Sequence, residues 1–388
     1  LGMSGALHLT PAGESGKPPP ECFTEQSKKL TVDWYNGNSR RRPGGARAPS
    51  TQNVRRTRAM AKRWNRLGRL LLIALIVLCA GEARSEFPER NITMIVAWEA
   101  GGPVDLVTRA LAVGAERYLG KPLVIENKGG GGGAVGLSVV ANAAPDGYTL
   151  CATPNVSVVD TPIMQKMTFR PLASFSPIIG HSLAEHTALL VKSDAPWKSF
   201  GEFIEYARKN PGKIKYSSAG IGSGMHVAME VIARKEGIKW VHVPYKGAAP
   251  ATTALLGGHV DACSAGIGWQ VHGKSGAVRA LADHGKKRGP DFPEVPTLWE
   301  LGYGFSNETI HAIVGPAGLP PDVMKKLEEA FRKGMETPEF KTAQEKLYLT
   351  PAYYDSRAYG KHLKERWQSM EKILIDSGVV KEAATKPE

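Results

Sequence analysis

A strand, a glycine turn and a helix follow one another without interruption from Ile92 to Leu119 (ITMIVAWEAGGPVDLVTRALAVGAERYL), and no other stretch constrains the chain as much. Ile92 to Ala97 is a β-branched, apolar run suited to a buried strand, and Gly101-Gly102 ends it. Pro103 stands where the first helical residue belongs and Asp105 falls in the first turn. Leu106, Val107, Ala110, Leu111 and Leu119 are expected on one face of a helix that stops at Gly120. Such a corner leaves unpaired backbone N–H groups at the positive end of a helix dipole, which favours a carboxylate or a phosphate. One corner alone is more often plain architecture, so a binding site needs a second corner facing it.

The same succession returns about 120 residues later. Ile214 to Ser217 reads as a strand, Ser218-Ala219-Gly220-Ile221-Gly222-Ser223-Gly224 as a turn, and Met225 to Glu236 as a helix. Two corners that each open a run of βα units predict two similar α/β domains facing each other across a cleft. Hydroxyls of Ser217, Ser218 and Ser223 add donors to the second corner. His226 invites a Ser/His catalytic reading, but there is no G-x-S-x-G elbow and no evident acid to orient it, so no catalytic residue is assigned.

Between the corners, Leu123 to Glu126 reads as a strand running into KGGGGGAVG, where Gly131, Gly133 and Gly136 satisfy G-x-G-x-x-G. The dinucleotide reading fails, because the fingerprint wants an acidic residue about 20 positions on and Leu150, Cys151 and Ala152 stand there. Asn127 and Lys128 also separate the strand from the glycines. No cofactor and no metal site is expected; the loop's amides line a polar cleft instead. Tyr148 to Thr153 is a third strand, which sets Thr153 and Asn155 at the carboxyl edge where open α/β sheets bind ligands.

Further strands are expected at Thr187 to Lys192, Trp240 to Tyr245, Val260 to Ser264, Val278 to Ala282 and Thr309 to Val314. Helices are expected after Ser199, capped with Glu202, over Ala249 to Gly257, at TLWELG after Pro296, and over Asp322 to Gly334, Pro338 to Leu347 and Asp355 to Ser377. The last three most simply return to the first domain. The chain then crosses between domains at least twice, and paired crossings make a hinge.

The amino-terminal part reads differently. Residues 1–59 are rich in Pro, Gly, Ser and Arg without apolar periodicity, which predicts a disordered or upstream extension. Residues 60–85 carry a basic run (Lys62, Arg63, Arg66, Arg69), an eleven-residue apolar run from Leu70 to Ala80 and small residues at Ala83 and Ser85. That is the plan of a secretory signal peptide, and the run is short of the roughly 20 residues a membrane span needs. Residues 1–85 hold 15 Lys and Arg against 5 Asp and Glu, so the chain's net charge of +13 shrinks to +3 for the remainder. The basicity belongs to the leader, and a nucleic-acid partner loses its support. Cys151 and Cys263, each inside an apolar run, read as buried free thiols. About 303 residues remain after the leader, enough for two α/β domains.

The succession FPERNITMIVAWEAGGPVD, ENKGGGGGAVG, APDGYTL, YSSAGIGSGMH, VPYKGAAPA, LLGGHVDA, FPEVPTLWELGY and GPAGLPPDV resembles the substrate-binding proteins of tripartite tricarboxylate transporters, the Bug-type receptors, in order over residues 87–380. The resemblance implies an α/β, two-lobed periplasmic-binding-protein fold of type II-like, Venus-flytrap form, with a hinge between residues 86–187 plus 312–388 and residues 188–311. It further implies a monomeric periplasmic receptor that closes on a small organic acid and presents it to a permease of one large and one small membrane subunit. Carried over, the ligand site comprises Trp98, Glu99, Ala100, Gly101, Gly102 and Asp105 from the first corner. Ser217, Ser218, Gly220, Ser223 and His226 come from the second, with Thr153, Asn155 and Tyr245 beside them. Glu99 departs from the small neutral residue found there in many relatives, and would repel an anion or receive a ligand amine or amide. Trp98 can stack on a flat ring. The ligand is therefore left open among dicarboxylates, amino acids and aromatic acids. A sensor component that binds the same ligand and a Ser223/His226 hydrolase are the alternatives.

Overall fold

The computed structural model describes residues 86–388; the extension and the signal peptide expected over residues 1–85 lie outside the described residues. The first corner forms as its sequence dictates. β1 (Ile92–Val96) is buried, Gly101 takes a left-handed φ of +81°, and the helix Pro103–Leu119 begins on Pro103 and ends at Gly120 in the left-handed conformation. β1 pairs in parallel with β2 (Leu123–Asn127) on one side and β3 (Thr149–Pro154) on the other.

Beyond β3 the first sheet turns antiparallel. β4 (Phe175–Ala184) enters it, and the chain then leaves for a second sheet made by β5 (Ala188–Lys192), β6 (Lys215–Ser218), β7 (Val241–Pro244), β8 (Ala262–Ala265) and β9 (Val278–Asp283). It returns with β10 (Thr309–Pro316) and ends with β11 (Thr350–Tyr354) and the helix Ser356–Asp376. The strand orders are β2-β1-β3-β10-β4-β11 and β7-β6-β8-β5-β9. Both repeat one plan: the corner strand (β1, β6) lies between its two parallel successors, and the next place is filled by the strand that has just arrived from the other sheet (β10, β5), running antiparallel. The two corners are thus topological equivalents at the carboxyl edges of their sheets.

Three expectations need correction. Leu106 is 42% exposed, while Val107, Leu111 and Ala115 are buried. The helix is rotated by a close approach of glycines: a β-carbon on Gly114 would stand 2.8 Å from the Cα of Gly334 in the helix Pro321–Met335. TLWELG is a turn, not a helix. Thr297 Oγ1 accepts the N–H of Glu300 and Glu300 Oε2 accepts that of Thr297, a reciprocal cap of the kind that starts helices, but Gly302 at φ +81° reverses the chain within a turn. β4 and β11 escaped the sequence reading altogether. The chain's two cysteines in the described part, Cys151 and Cys263, are buried and unpaired.

Candidate functional site

Between the sheets lies a cavity of about 60 Å³, room for about two water molecules. Three helices of eight or more residues start at its wall. Gly102, Pro103 and Val104 come from the first corner, Ser223, Gly224 and Met225 from the second, whose helix is Gly224–Glu236, and Gly247, Ala248, Ala249 and Pro250 from the helix Ala248–Leu256. Among the described residues, no hydrogen bond within the protein uses the N–H of Gly102, Val104, Gly224, Met225, Ala248 or Ala249. Each start carries roughly half a positive charge, so three partial charges and their free donors converge without any Lys or Arg on the wall. The remaining surface is largely apolar, with Val156, Ala184, Ala219 and Ile267.

The predicted residues divide between this wall and the structure behind it. Trp98, Glu99, Gly102 and Ser223 reach the wall. The Asp105 carboxylate instead holds the turn: Oδ2 accepts the Gly101 N–H at 2.9 Å, and Oδ1 accepts from Arg109 at 3.0 Å and Asn127 at 2.9 Å. Burial pushes its pKa up, but the bonds from Arg109, Gly101 and Asn127 outweigh that and leave it lowered. Ala100 and Gly101 are exposed beside it. Asn155 is fully buried, with Oδ1 accepting the Ile310 N–H and Nδ2 at 3.0 Å from His362 Nε2, and Thr153 is buried in the β3–β10 ladder.

In the second corner Ser217 Oγ donates to the Ala251 carbonyl, and Ser218 Oγ lies 2.7 Å from His242 Nε2 and accepts the Gly220 N–H. Tyr245 pairs through its N–H with the Ser218 carbonyl. Ser223 caps its helix, accepting the His226 N–H and donating to the Gly220 carbonyl. His226 Nδ1 accepts the Gly222 N–H at 3.2 Å, which leaves the proton on Nε2. Burial lowers its pKa to about 4. Ser223 Oγ and the His226 ring are thus each committed to the turn, an arrangement that offers no serine-to-imidazole proton transfer.

Sequence reasoning expected the helix from Ala249 but did not bring its start, Gly247 to Pro250, into the site. It also missed His311. This residue of β10 lines the cavity, is 4% exposed, leaves Nδ1 without a partner, and has its pKa lowered by burial to about 4. Nothing in TIHAIV separates it from a structural histidine. Among the described residues no group of three or more His, Cys, Asp or Glu side chains is placed to hold a metal ion. None of the described helices is long and apolar enough to cross a membrane.

Comparison with known proteins points one way. The model of the tripartite tricarboxylate transporter family receptor matches residues 107–379. A Cupriavidus necator protein named only for its place in the gbd 5' region is 36% identical over 310 residues, covering 80% of this chain and 94% of that one. Among solved structures, the periplasmic binding protein BugD is 33% identical with a TM-score of 0.70, covering 76% of this chain and 99% of its own. MatC of Rhodopseudomonas palustris, solved with bound malate, is 27% identical with a TM-score of 0.69, covering 74% and 100%.

Proposed function

The chain belongs to the tripartite tricarboxylate transporter receptor family, a family of periplasmic binding proteins rather than enzymes, and from that premise we propose that it captures a small organic carboxylate and delivers it to a permease of one large and one small membrane subunit. The observation that carries this reading is the convergence, on one cavity between the two sheets, of three helix starts whose first N–H groups are free. Fixed backbone donors need no reorganisation to accept a carboxylate, and the apolar remainder suits its carbon skeleton. Malate in the related MatC is an acid of this class. The signal peptide read at residues 60–85 takes the chain to the periplasm, where it acts as a monomer.

A cavity of about 60 Å³ is far below the roughly 300–1,000 Å³ of ligand pockets, so the lobes separate to admit the acid. We place the hinge at residues 185–187 and 284–308, between β4 and β5 and between β9 and β10. Thr187, His284 and Asn307 join the two crossings there, with Thr187 Oγ1 at 3.2 Å from His284 Nδ1 and 3.1 Å from Asn307 Nδ2. Ligand shifts the population toward the closed form that the permease recognises.

A thermal-shift screen of the chain from Glu86 onward tests this, using protein refolded from denaturant to strip retained ligand, against dicarboxylates, amino acids and aromatic acids. An acid present at 100 times its Kd stabilises by about 2.7 kcal/mol. No shift with any of them overturns the proposal.

A further inference from the structure

One charged side chain lines the cavity, and it is negative. Glu99 has no hydrogen-bond or ion-pair partner among the described residues, and no Lys or Arg shares the wall. Its position is built into the backbone. A β-carbon on Gly129 would stand 2.9 Å from the Glu99 N and 3.0 Å from both Glu99 Oε1 and the Lys246 carbonyl oxygen, and one on Gly247 would stand 3.5 Å from Glu99 Cβ. Gly129 has no left-handed φ, so space rather than conformation requires glycine there. The two glycines clear a slot at the seam between the lobes, and the Glu99 side chain runs through it.

We propose that Glu99 selects ligands that carry an N–H donor, an ammonium or an amide, a few atoms from the carboxylate. The inference deepens the receptor reading and rests on it. A carboxylate facing the helix starts is favoured by three partial positive charges, but a second carboxylate meets Glu99 with no cation on the wall to offset the repulsion. His311 supplies none, since burial keeps it neutral. A zwitterion or amide-bearing acid matches both ends: its carboxylate meets the free N–H groups, and its donor meets the Glu99 carboxylate in a charge-assisted hydrogen bond.

Isothermal titration of the full chain tests this with two pairs of four-carbon acids that differ in an amine, γ-aminobutyrate against succinate and aspartate against malate, and with one aromatic pair, 3-(aminomethyl)benzoate against isophthalate. At least one amine-bearing acid is expected to bind ten times more tightly than its plain partner. Glu99→Gln is expected to weaken that acid at least tenfold and to leave the plain diacid equal or tighter. Equal binding of both members of every pair, or a preference that survives in Glu99→Gln, overturns the inference and leaves the receptor reading standing. Absence of binding by all six overturns the inference, and with no response in the wider acid screen the receptor reading falls as well.

Discussion

In the first corner an aspartate at the third helical position accepts the N–H of Gly101; in the second a histidine at the same position accepts that of Gly222. The two side chains perform one task, reaching back to the glycine just before the helix cap and fixing the turn whose remaining N–H groups face the cavity. They differ in charge. Asp105 is an anion steadied by Arg109 and Asn127. His226 is held neutral by burial, stacked on His242 at 4.2 Å between ring centroids, with Glu230 3.7 Å from Nε2. Equivalent geometry thus rests on groups that fail at different pH and under different substitutions. The surroundings also differ: a β-carbon on Gly101 meets nothing within 4 Å, whereas one on Gly220, at φ +127°, stands 3.2 Å from the Gly132 N across the seam and 3.2 Å from the Tyr245 carbonyl.

The largest predicted contrast follows from those glycines. Gly220→Val combines a strained φ with a collision against the opposite lobe, and should lower affinity at least a hundredfold on top of about 2 kcal/mol of stability. Gly101→Val carries the φ strain alone, so about 1–2 kcal/mol of stability is lost with affinity changed much less. Titration calorimetry and chemical denaturation of both variants separate the two effects. Equal affinity losses would show that the corners close against the ligand in the same way.

The second prediction separates the corners by pH. The pKa of His226 falls from its ordinary 6.5 to about 4 in the fold. The unfolded chain therefore binds a proton between pH 6.5 and 4 that the folded chain refuses, and stability present above 6.5 declines through that window, by on the order of 3 kcal/mol for the full shift. Asp105 has a lowered pKa, so its contribution is intact above the unfolded value of about 3.9 and is lost only as pH falls further. His242, whose pKa burial and the charge of His226 lower to about 3, steepens the same decline. Amide hydrogen exchange should show Gly222 losing protection before Gly101 as pH drops from 6.5 to 4, and His226→Gln should flatten the stability slope there. Simultaneous loss at both glycines would break the distinction.

How much of this was legible follows from what each residue answers to. Both corners were visible because strand, glycine and helix signals are local: Gly101, Pro103 and Gly120 do what their backbones require, and so do Ser223 and Gly237 at the ends of the second helix. β4 was not, since FSPIIGHSLA has neither alternation nor a clean apolar run. It becomes a strand because β10 and β11 pair with it from distant sequence. The rotation that exposes Leu106 is set by Gly114 against Gly334, a contact across more than 200 residues. In the site, the sequence marks which residues build the corners but not which side chains remain free for a ligand. Asn155 and Ser217 look like ligand-binding groups until Ile310 and His362 engage the Asn155 amide and the Ala251 carbonyl takes the Ser217 hydroxyl.

The smallest predicted effect concerns two side chains that join the corners. Thr161 Oγ1 lies 2.9 Å from the Gly222 carbonyl oxygen and 3.2 Å from that of Gly132, and Gln165 Nε2 donates at 3.0 Å to both the Ile221 and Gly131 carbonyls. The amino-terminal glycine loop and the second corner are thus clamped by donors from one short helix, Asp160–Met164, and the residue after it. Asp160 anchors that helix through Arg366, at 2.6 and 2.8 Å, and Arg366 Nη1 also donates to the carbonyl of Glu308 at the end of the second crossing. Thr161 and Gln165 share a lobe with Gly131 and Gly132, so it is their bonds to Gly222 and Ile221 that exist only with the lobes together, and removing these should weaken closure without touching the cavity wall. Thr161→Val is expected to raise the Kd several-fold, about 1 kcal/mol, with Gln165→Ala adding less because its side chain is partly solvated. A double-mutant cycle measured with the same ligand reads the coupling. Should both variants bind as tightly as the parent, the clamp is incidental, and closure rests on the ligand's own contacts with the two corners.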